Sequence, residues 1–302
     1  MARPEARVPI ADNHAHANPV RGMGAREIAR RFRASGGALL VLVSLPARDL
    51  GLSPGSRDDL ERSYSMVVES VREAREEGLL GAAILGFHPA EVAELLGAGR
   101  SPADVLEFGE LSVRLAARFV DEGLASGYGE YGRPHWDADP SLVELCDRIT
   151  LMALRAARDH GGVVHVHSER ANPDTVRRMY AMASAAGVDP SRIVLHHALP
   201  SSIDPASAVG MAPSVPAGRR GELEEAIRHG PRFVIESDFL DDPARPGAVT
   251  TPWGLSKRVH RLIRSGAMDE EFYMKTLEIY KKLYNIEIAR GAQRNFLSLC
   301  SA

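Results

Sequence analysis

Eleven histidines occur among the 302 residues, and most of them stand in short runs with carboxylates close by. Asp12-Asn13-His14-Ala15-His16 sets two imidazoles at i and i+2, which an extended segment turns to one side. Further runs follow in order: Gly86-Phe87-His88-Pro89, Gly129-Glu130-Tyr131-Gly132, Val163-Val164-His165-Val166-His167-Ser168-Glu169, His196-His197 and Glu236-Ser237-Asp238. Imidazole nitrogen and carboxylate oxygen together form the donor set of zinc, manganese or iron sites. One histidine at a strand end is usually a hydrogen-bonded structural residue. Six separate runs, each carrying His, Glu or Asp, point instead to a metal centre. Such a centre brings the pKa of its water to about 7, and a neighbouring carboxylate can take up the proton. Hydrolysis is the chemistry expected. His160 and His229 fall at helix ends, where positive charge suits the dipole, and His260 lies within a late helix; these three read as structural.

Runs so far apart in the chain need a scaffold that gathers them. Short β-branched or apolar stretches predict strands at Arg7–Asp12, Ala38–Leu45, Gly81–Phe87, Leu124–Glu130, Gly162–His167, Ile193–His197, Val209–Pro213 and Phe233–Asp238. Near-continuous apolar character, as in Ala-Leu-Leu-Val-Leu-Val-Ser-Leu, suits strands covered on both faces. Amphipathic periodicity predicts helices at Ala25–Ser35, Ser56–Glu77, Ser101–Glu122, Ser141–His160, Pro173–Ala186 and Gly221–His229. Ser101-Pro102 marks a helix start, with an N-cap and a first-turn proline. Eight strands separated by helices predict a single (β/α)8 TIM barrel, for which about 250 residues is typical. An open doubly wound sheet is the alternative, because strand count does not show closure. In a barrel the C-terminal strand ends carry the active site, and the chemistry-bearing runs fall there. Asp269–Ile288 reads as a helix on the outside of the barrel, with Phe272, Leu277, Tyr280 and Leu283 or Tyr284 on one side. One domain over residues 1–302 is expected, its core spanning about 8–285.

Composition narrows the function classes. At 44% hydrophobic and 25% charged residues the balance is that of a globular chain. No window approaches the roughly 18 uninterrupted apolar residues of a membrane span, and no secretory leader is recognisable at the N-terminus. Cys146 and Cys300 make no disulfide framework, so a reduced, cytoplasmic setting is expected. A net charge of −3 excludes a globally basic surface, and a nucleic-acid partner would have to be held locally. Only four lysines occur, and the first is Lys257.

Asp-x-His-x-His at His14 and His16, Gly-x-His-Pro at His88, Gly-Glu-x-Gly at Glu130, Val-His-Ser at His167, Val-Leu-His at His196 and Glu-Ser-Asp at Asp238 together resemble the amidohydrolase superfamily. Within it the chain is similar to the TatD-related hydrolases, as a divergent, archaeal-type branch, over about residues 8 to 285. The resemblance implies a barrel with one or two divalent ions at its mouth, zinc first, with manganese or magnesium as alternatives. It assigns His14, His16 and Asp238 to one ion and makes Glu130 the bridge to a second, held by His167 and His196. Many binuclear relatives bridge with a carboxylated lysine, which a chain without lysine before Lys257 cannot supply. Asp238 and Glu130 are then the catalytic carboxylates, with Asp238 taking the proton of water and passing it to the leaving group. His88 matches a position near the substrate, suited to a phosphate or carboxylate oxygen. Glu236 is expected to orient the metal ligands. His165, one layer deeper than His167, and His197, which alternation turns away from the lumen, are expected in supporting roles.

The loops depart from that family. Where Gly-Leu-Asp-Tyr follows the bridging Glu, this chain has Tyr131-Gly132-Arg133-Pro134-His135-Trp136, without the Asp. Val-His-Thr-Arg becomes Val166-His167-Ser168-Glu169-Arg170, His-Cys-Phe becomes His196-His197-Ala198, and Asp-Ala-Pro-Tyr becomes Asp238-Phe239-Leu240-Asp241. Arg133, His135 and Trp136 read as a substrate-recognition set, the guanidinium clamping a phosphate or carboxylate and the indole stacking on a ring. A loop ion pair with a packing anchor is the competing reading. Arg26–Arg33 and Arg219-Arg220 read as solvated helix faces. A metal-dependent phosphoesterase acting on a small phosphoester or a nucleic-acid end is the leading expectation. Hydrolysis of a small amide, cyclic amide or lactone is the alternative, and a metal-binding protein without catalysis the third.

Overall fold

The structure, a computed structural model, describes residues 8–168, 170–245 and 250–289. The expectations placed on Arg7, Glu169 and Cys300 lie outside the described residues. Strands and helices alternate in the order β1 (Ile10–His16), α1 (Gly24–Ala34), β2 (Gly37–Val43), α2 (Arg57–Glu76), β3 (Leu80–Leu85), α3 (Pro89–Gly97), α4 (Pro102–Asp121) and β4 (Gly127–Gly132). There follow α5 (Pro140–His160), β5 (Val163–His167), α6 (Pro173–Ala186), β6 (Ile193–Leu195), α7 (Ile203–Ala208), β7 (Ala212–Pro216), α8 (Glu222–Ile227), β8 (Val234–Glu236), β9 (Phe239–Leu240), α9 (Pro252–Arg264) and α10 (Glu270–Tyr284). The apolar runs become the buried strands; every residue of β2 is buried, as a sheet covered on both faces requires. The amphipathic stretches become helices with side-chain caps. Ser101 accepts from the Asp104 amide, Ser56 from Asp59 and Asn172 from Asp174 and Thr175.

All strand pairs are parallel, in the order β8-β7-β6-β5-β4-β3-β2-β1-β9. The two ends of that row are neighbours in the chain: β8 pairs with β7, and after Ser237-Asp238 the same stretch becomes β9 and pairs with β1 through Ala15 and Phe239. The sheet therefore closes on itself, which selects the barrel over the open doubly wound sheet. Lower on the seam, tyrosines of α10 reach the backbone of β1 and β8. The Ala11 amide donates to Tyr273 Oη at 3.0 Å, and Tyr280 Oη accepts from the Ile235 amide at 2.9 Å while donating to the Ile235 carbonyl at 2.8 Å. Leu277, Tyr280 and Tyr284 lie on the buried side of α10, with Phe272 and Leu283 partly buried against the core.

Several boundaries differ from the sequence expectations. β1 runs on through His16, and β7 starts at Ala212 because Gly210, at φ 86°, turns the chain after Val209. Helix α3 was not anticipated. Its nine residues are short, yet its signals are local: Pro89 at the first position and a capping box between His88 and Glu91. Cys146 is a buried free thiol. No helix among the described residues is long and apolar enough to cross a membrane.

Candidate metal centre

The C-terminal ends of β1, β4, β5, β6 and β8 converge on one buried carboxylate, Glu130. Its Oε1 lies 3.0 Å from His14 Nε2 and 3.3 Å from His16 Nε2; its Oε2 lies 2.5 Å from His167 Nδ1 and 3.8 Å from His196 Nε2. Asp238 Oδ1 stands 3.6 Å from His196 Nε2. Close approach of β4 to its neighbour makes this possible. A Cβ at Gly132 would fall 1.9 Å from the His167 carbonyl oxygen, and the backbone there has φ 140°, so only glycine fits. Tyr131 anchors the same strand outward through a buried chain, its hydroxyl 2.8 Å from Ser112 Oγ, which lies 2.7 Å from Tyr64 Oη.

The donors present fit a divalent cation. His16 Nδ1 faces the Val43 carbonyl oxygen at 3.1 Å, which can only accept, so Nδ1 carries a proton and Nε2 is the nitrogen turned toward Glu130 Oε1; burial alone would lower this imidazole, but the bond to Glu130 and its charge raise it. His14 Nε2 lies 3.2 Å from His16 Nε2. Burial pushes the His14 imidazole down and the His196 imidazole well down, favouring their neutral, ligating forms. Burial alone would raise Glu130 and Asp238, but the facing imidazoles outweigh it and hold Glu130 well below the usual range. A hydrogen bond from His197 likewise keeps Asp238 low. Among the described residues four donor groups meet the spacing of a metal site: His14 with His16 and Glu130, His88 with Glu130 and His167, His14 with His196 and Glu236, and His196 with His197 and Asp238.

A cavity of about 640 Å³ opens above these groups. His88 lines it and caps α3, its Nδ1 accepting from the Ala90 amide at 3.0 Å while its ring packs edge-on to His167. His135 Nδ1 lies 2.9 Å from His167 Nε2, and the exposed Trp136 stands perpendicular to the His135 ring. Glu236 Oε2 is 2.8 Å from His196 Nδ1, and His165 is fully buried beneath His14. Two expectations need correction. His197 does not point away from the site: it lies beyond the end of β6 with φ 57°, where strand alternation no longer applies, and its Nε2 meets Asp238 Oδ2 at 2.8 Å. Asp238 itself has φ 51°, so strained backbone is stored at this pair. Arg133 does not reach the cavity; its guanidinium grips Asp147 of α5, Nε to Oδ1 at 2.7 Å with a second contact through Nη2. Sequence reasoning passed over the wall formed by Ser44, Leu45 and Pro46 after β2, and over Arg48, Glu94 and Arg245. The end of β2 carries no imidazole or carboxylate to mark it. The Arg48 and Arg245 guanidiniums are held by carboxylates, Arg48 by Glu94 at 3.3 Å and Arg245 by Asp49 at 3.0 Å. Asp241, which follows the pattern break after Asp238, is structural: its carboxylate accepts from the amides of Asn18, Met23 and Gly24 at the start of α1.

Comparison with known proteins agrees with this geometry. Residues 11–285 match the family model described as TatD related DNase. An uncharacterised protein of Methanocaldococcus jannaschii is 27% identical over 289 residues, covering 93% of this chain and 97% of its own. Among solved structures, the TatD homolog YjjV of Escherichia coli superposes with a TM-score of 0.64 at 15% identity, covering 92% of this chain and 98% of that one. A mutant phosphotriesterase-like lactonase of Deinococcus radiodurans gives 0.58 at 16% identity over 93% and 96% of the two chains. With nearly the whole chain matched and the histidine and carboxylate positions gathered at one barrel mouth, the protein belongs to the TatD-related DNase family of metal-dependent hydrolases.

Proposed function

We propose that the protein is a metal-dependent phosphoesterase, acting on a small phosphoester or the free end of a nucleic-acid strand. The observation that carries this reading is the convergence of His14, His16, His167 and His196 on Glu130, with Asp238 beside His196, at the floor of a 640 Å³ cavity. A divalent cation held by these residues, zinc first with manganese or magnesium as alternatives, would supply Lewis acidity there for an activated water near neutral pH and for charge withdrawal from the bond to be cleaved. Asp238 takes the proton from the attacking water. Its Oδ2 accepts from His197 Nε2–H, which holds the carboxylate in place, and the proton taken from water passes to the leaving group. His88 and His135 orient the substrate's oxygens, and Trp136 offers a ring face at the rim. The cavity suits a small molecule or a strand end, and a net charge of −3 accords with local rather than extended contact to a polyanion.

The apolar wall of Leu45, Pro46, Ala90 and Ala93 favours a second reading, hydrolysis of a neutral lactone or cyclic amide by the same carboxylates. Metal-free protein reloaded separately with zinc, manganese and magnesium decides between them. Bis(p-nitrophenyl) phosphate and end-labelled single-stranded DNA serve as substrates, and Asp238→Asn as control. Metal-dependent turnover that disappears in the variant is the expected result. Bound metal by elemental analysis without phosphoester turnover would overturn the phosphoesterase reading in favour of the lactone or amide. Failure with these phosphoesters and with a panel of lactones and cyclic amides alike would leave a metal-binding protein without catalysis.

A further inference from the structure

Beneath the centre lies a row of polar side chains that the proposed chemistry does not use. His14 Nδ1 is 3.3 Å from His165 Nδ1, and His165 Nε2 is 2.8 Å from Tyr284 Oη. Tyr284 Oη is 2.7 Å from Asn13 Oδ1, and Asn13 Nδ2 is 3.1 Å from Ser214 Oγ. Ser214 hydrogen-bonds Glu236, whose Oε2 meets His196 Nδ1. Five of these seven side chains have no exposed surface, and His196 and Tyr284 are only 1% and 7% exposed, so water does not substitute for a missing partner.

We infer that this chain makes His165 and Tyr284 positioning residues, which decide which nitrogen of His14 faces the metal. The inference rests on the metal-centre reading above. Donor and acceptor roles run in one direction. The Asn13 carbonyl oxygen can only accept, so Tyr284 gives it its proton. The Tyr284 oxygen then accepts from His165 Nε2–H, which leaves a lone pair on His165 Nδ1. That lone pair accepts from His14 Nδ1–H, and His14 Nε2, 3.0 Å from Glu130 Oε1, keeps its lone pair for a cation shared with that carboxylate. Were His165 protonated on Nδ1 instead, His14 would have to accept there, and an Nε2–H would occupy the coordination position. Metal-bound imidazoles commonly donate their other N–H to a carboxylate or carbonyl, and loss of such a partner costs 10- to 100-fold in metal affinity. Here the partner is a second imidazole, whose own tautomer is set by the last helix. Binding at His14 is thereby coupled to the docking of α10.

The experiment measures zinc affinity by competition with a chromophoric chelator for the wild type, His165→Phe, His165→Asn and Tyr284→Phe. Imidazole nitrogen NMR of the metal-free wild type and of Tyr284→Phe accompanies it. His165→Phe and Tyr284→Phe are expected to bind zinc ten- to a hundredfold more weakly. His165→Asn, whose side-chain oxygen stands near the lost Nδ1, recovers most of that affinity. The metal-free wild type is expected to hold His165 as the Nε2–H tautomer and Tyr284→Phe to hold a mixture of both. A folded His165→Phe with wild-type zinc affinity overturns the inference, as does a wild-type His165 protonated on Nδ1. A wild type that binds no zinc would instead remove the metal-centre reading, while the NMR result still decides the tautomer.

Discussion

Asp12 shows what burial does to a single group at this site. Its Oδ1 accepts from the Ser237 amide at 2.8 Å and the His14 amide at 3.2 Å, while Oδ2 is buried without a partner. Burial, only partly offset by the Ser237 and His14 bonds, raises its pKa from 3.8 to about 7. The folded state therefore holds a proton that the unfolded chain releases near pH 4. Between about pH 4 and 7 the native state binds more protons, so this group's contribution to stability falls as pH rises and levels off above 7. A gap of about three pH units corresponds to something on the order of 4 kcal/mol. Asp12→Asn keeps the accepting oxygen and removes the ionisation. Urea denaturation of the metal-free proteins at pH 4.5 and 7.5 should show a smaller loss of stability in the variant than in the wild type; equal losses would contradict the assignment. Asp238→Asn acts at the same scale but on chemistry, abolishing turnover while leaving the buried frame intact.

Strand β4 and helix α10 are the elements on which the site depends. Gly132→Ala would press a Cβ against the His167 carbonyl and force an unfavourable φ. The expected destabilisation is about 2–5 kcal/mol, with weakened metal binding as Glu130 and His167 separate; chemical denaturation and chelator competition read the two effects. Tyr280→Phe tests the seam. It leaves the Ile235 amide and carbonyl without the phenol they share, at a cost of about 1–3 kcal/mol for each buried group left unpaired. Denaturation midpoints that match the wild type would show that those backbone groups find other partners. The α1 and α2 faces are tied by exposed pairs such as Arg26 with Glu76 at 2.8 Å and Arg30 with Glu77 at 3.1 Å. Pairs of this kind contribute little, so the helices are held by the apolar stripe of Ala25, Ile28, Ala29 and Phe32.

At the scale of the whole molecule, one apolar core runs from β1 through α10 and encloses the barrel. A protein with such a core does not need its metal in order to fold, unlike a small metal-nucleated domain. Chelation should therefore lower the melting temperature by a few degrees and leave the far-ultraviolet circular dichroism unchanged. A ligand at a hundred times its Kd adds about 2.7 kcal/mol. Loss of secondary structure on chelation would mean instead that the metal ions hold the strand ends together.

What the sequence determined by itself was periodic or local. Apolar runs such as that of β2 and the amphipathic stretches between strands set the order of elements, because burial on two faces or one writes a pattern every few residues. His14, His16, Glu130, His167, His196 and Asp238 were legible as a set because each sits where a strand ends, and parallel strands bring such ends to one rim. Helix α3 was legible in its cap and missed only for its length. The tertiary structure alone decided matters that depend on partners far away in the chain. Closure rests on Phe239 and Leu240 pairing with β1, more than two hundred residues earlier. Arg133 is drawn from the cavity by Asp147 across a helix face, and His197 is turned into it by a backbone conformation that its neighbours impose. Tyr284 reaches Asn13 and His165 from the last helix. Spacing along a chain encodes which way a side chain faces while the backbone is regular; it does not encode which distant group will satisfy a buried donor once that regularity ends.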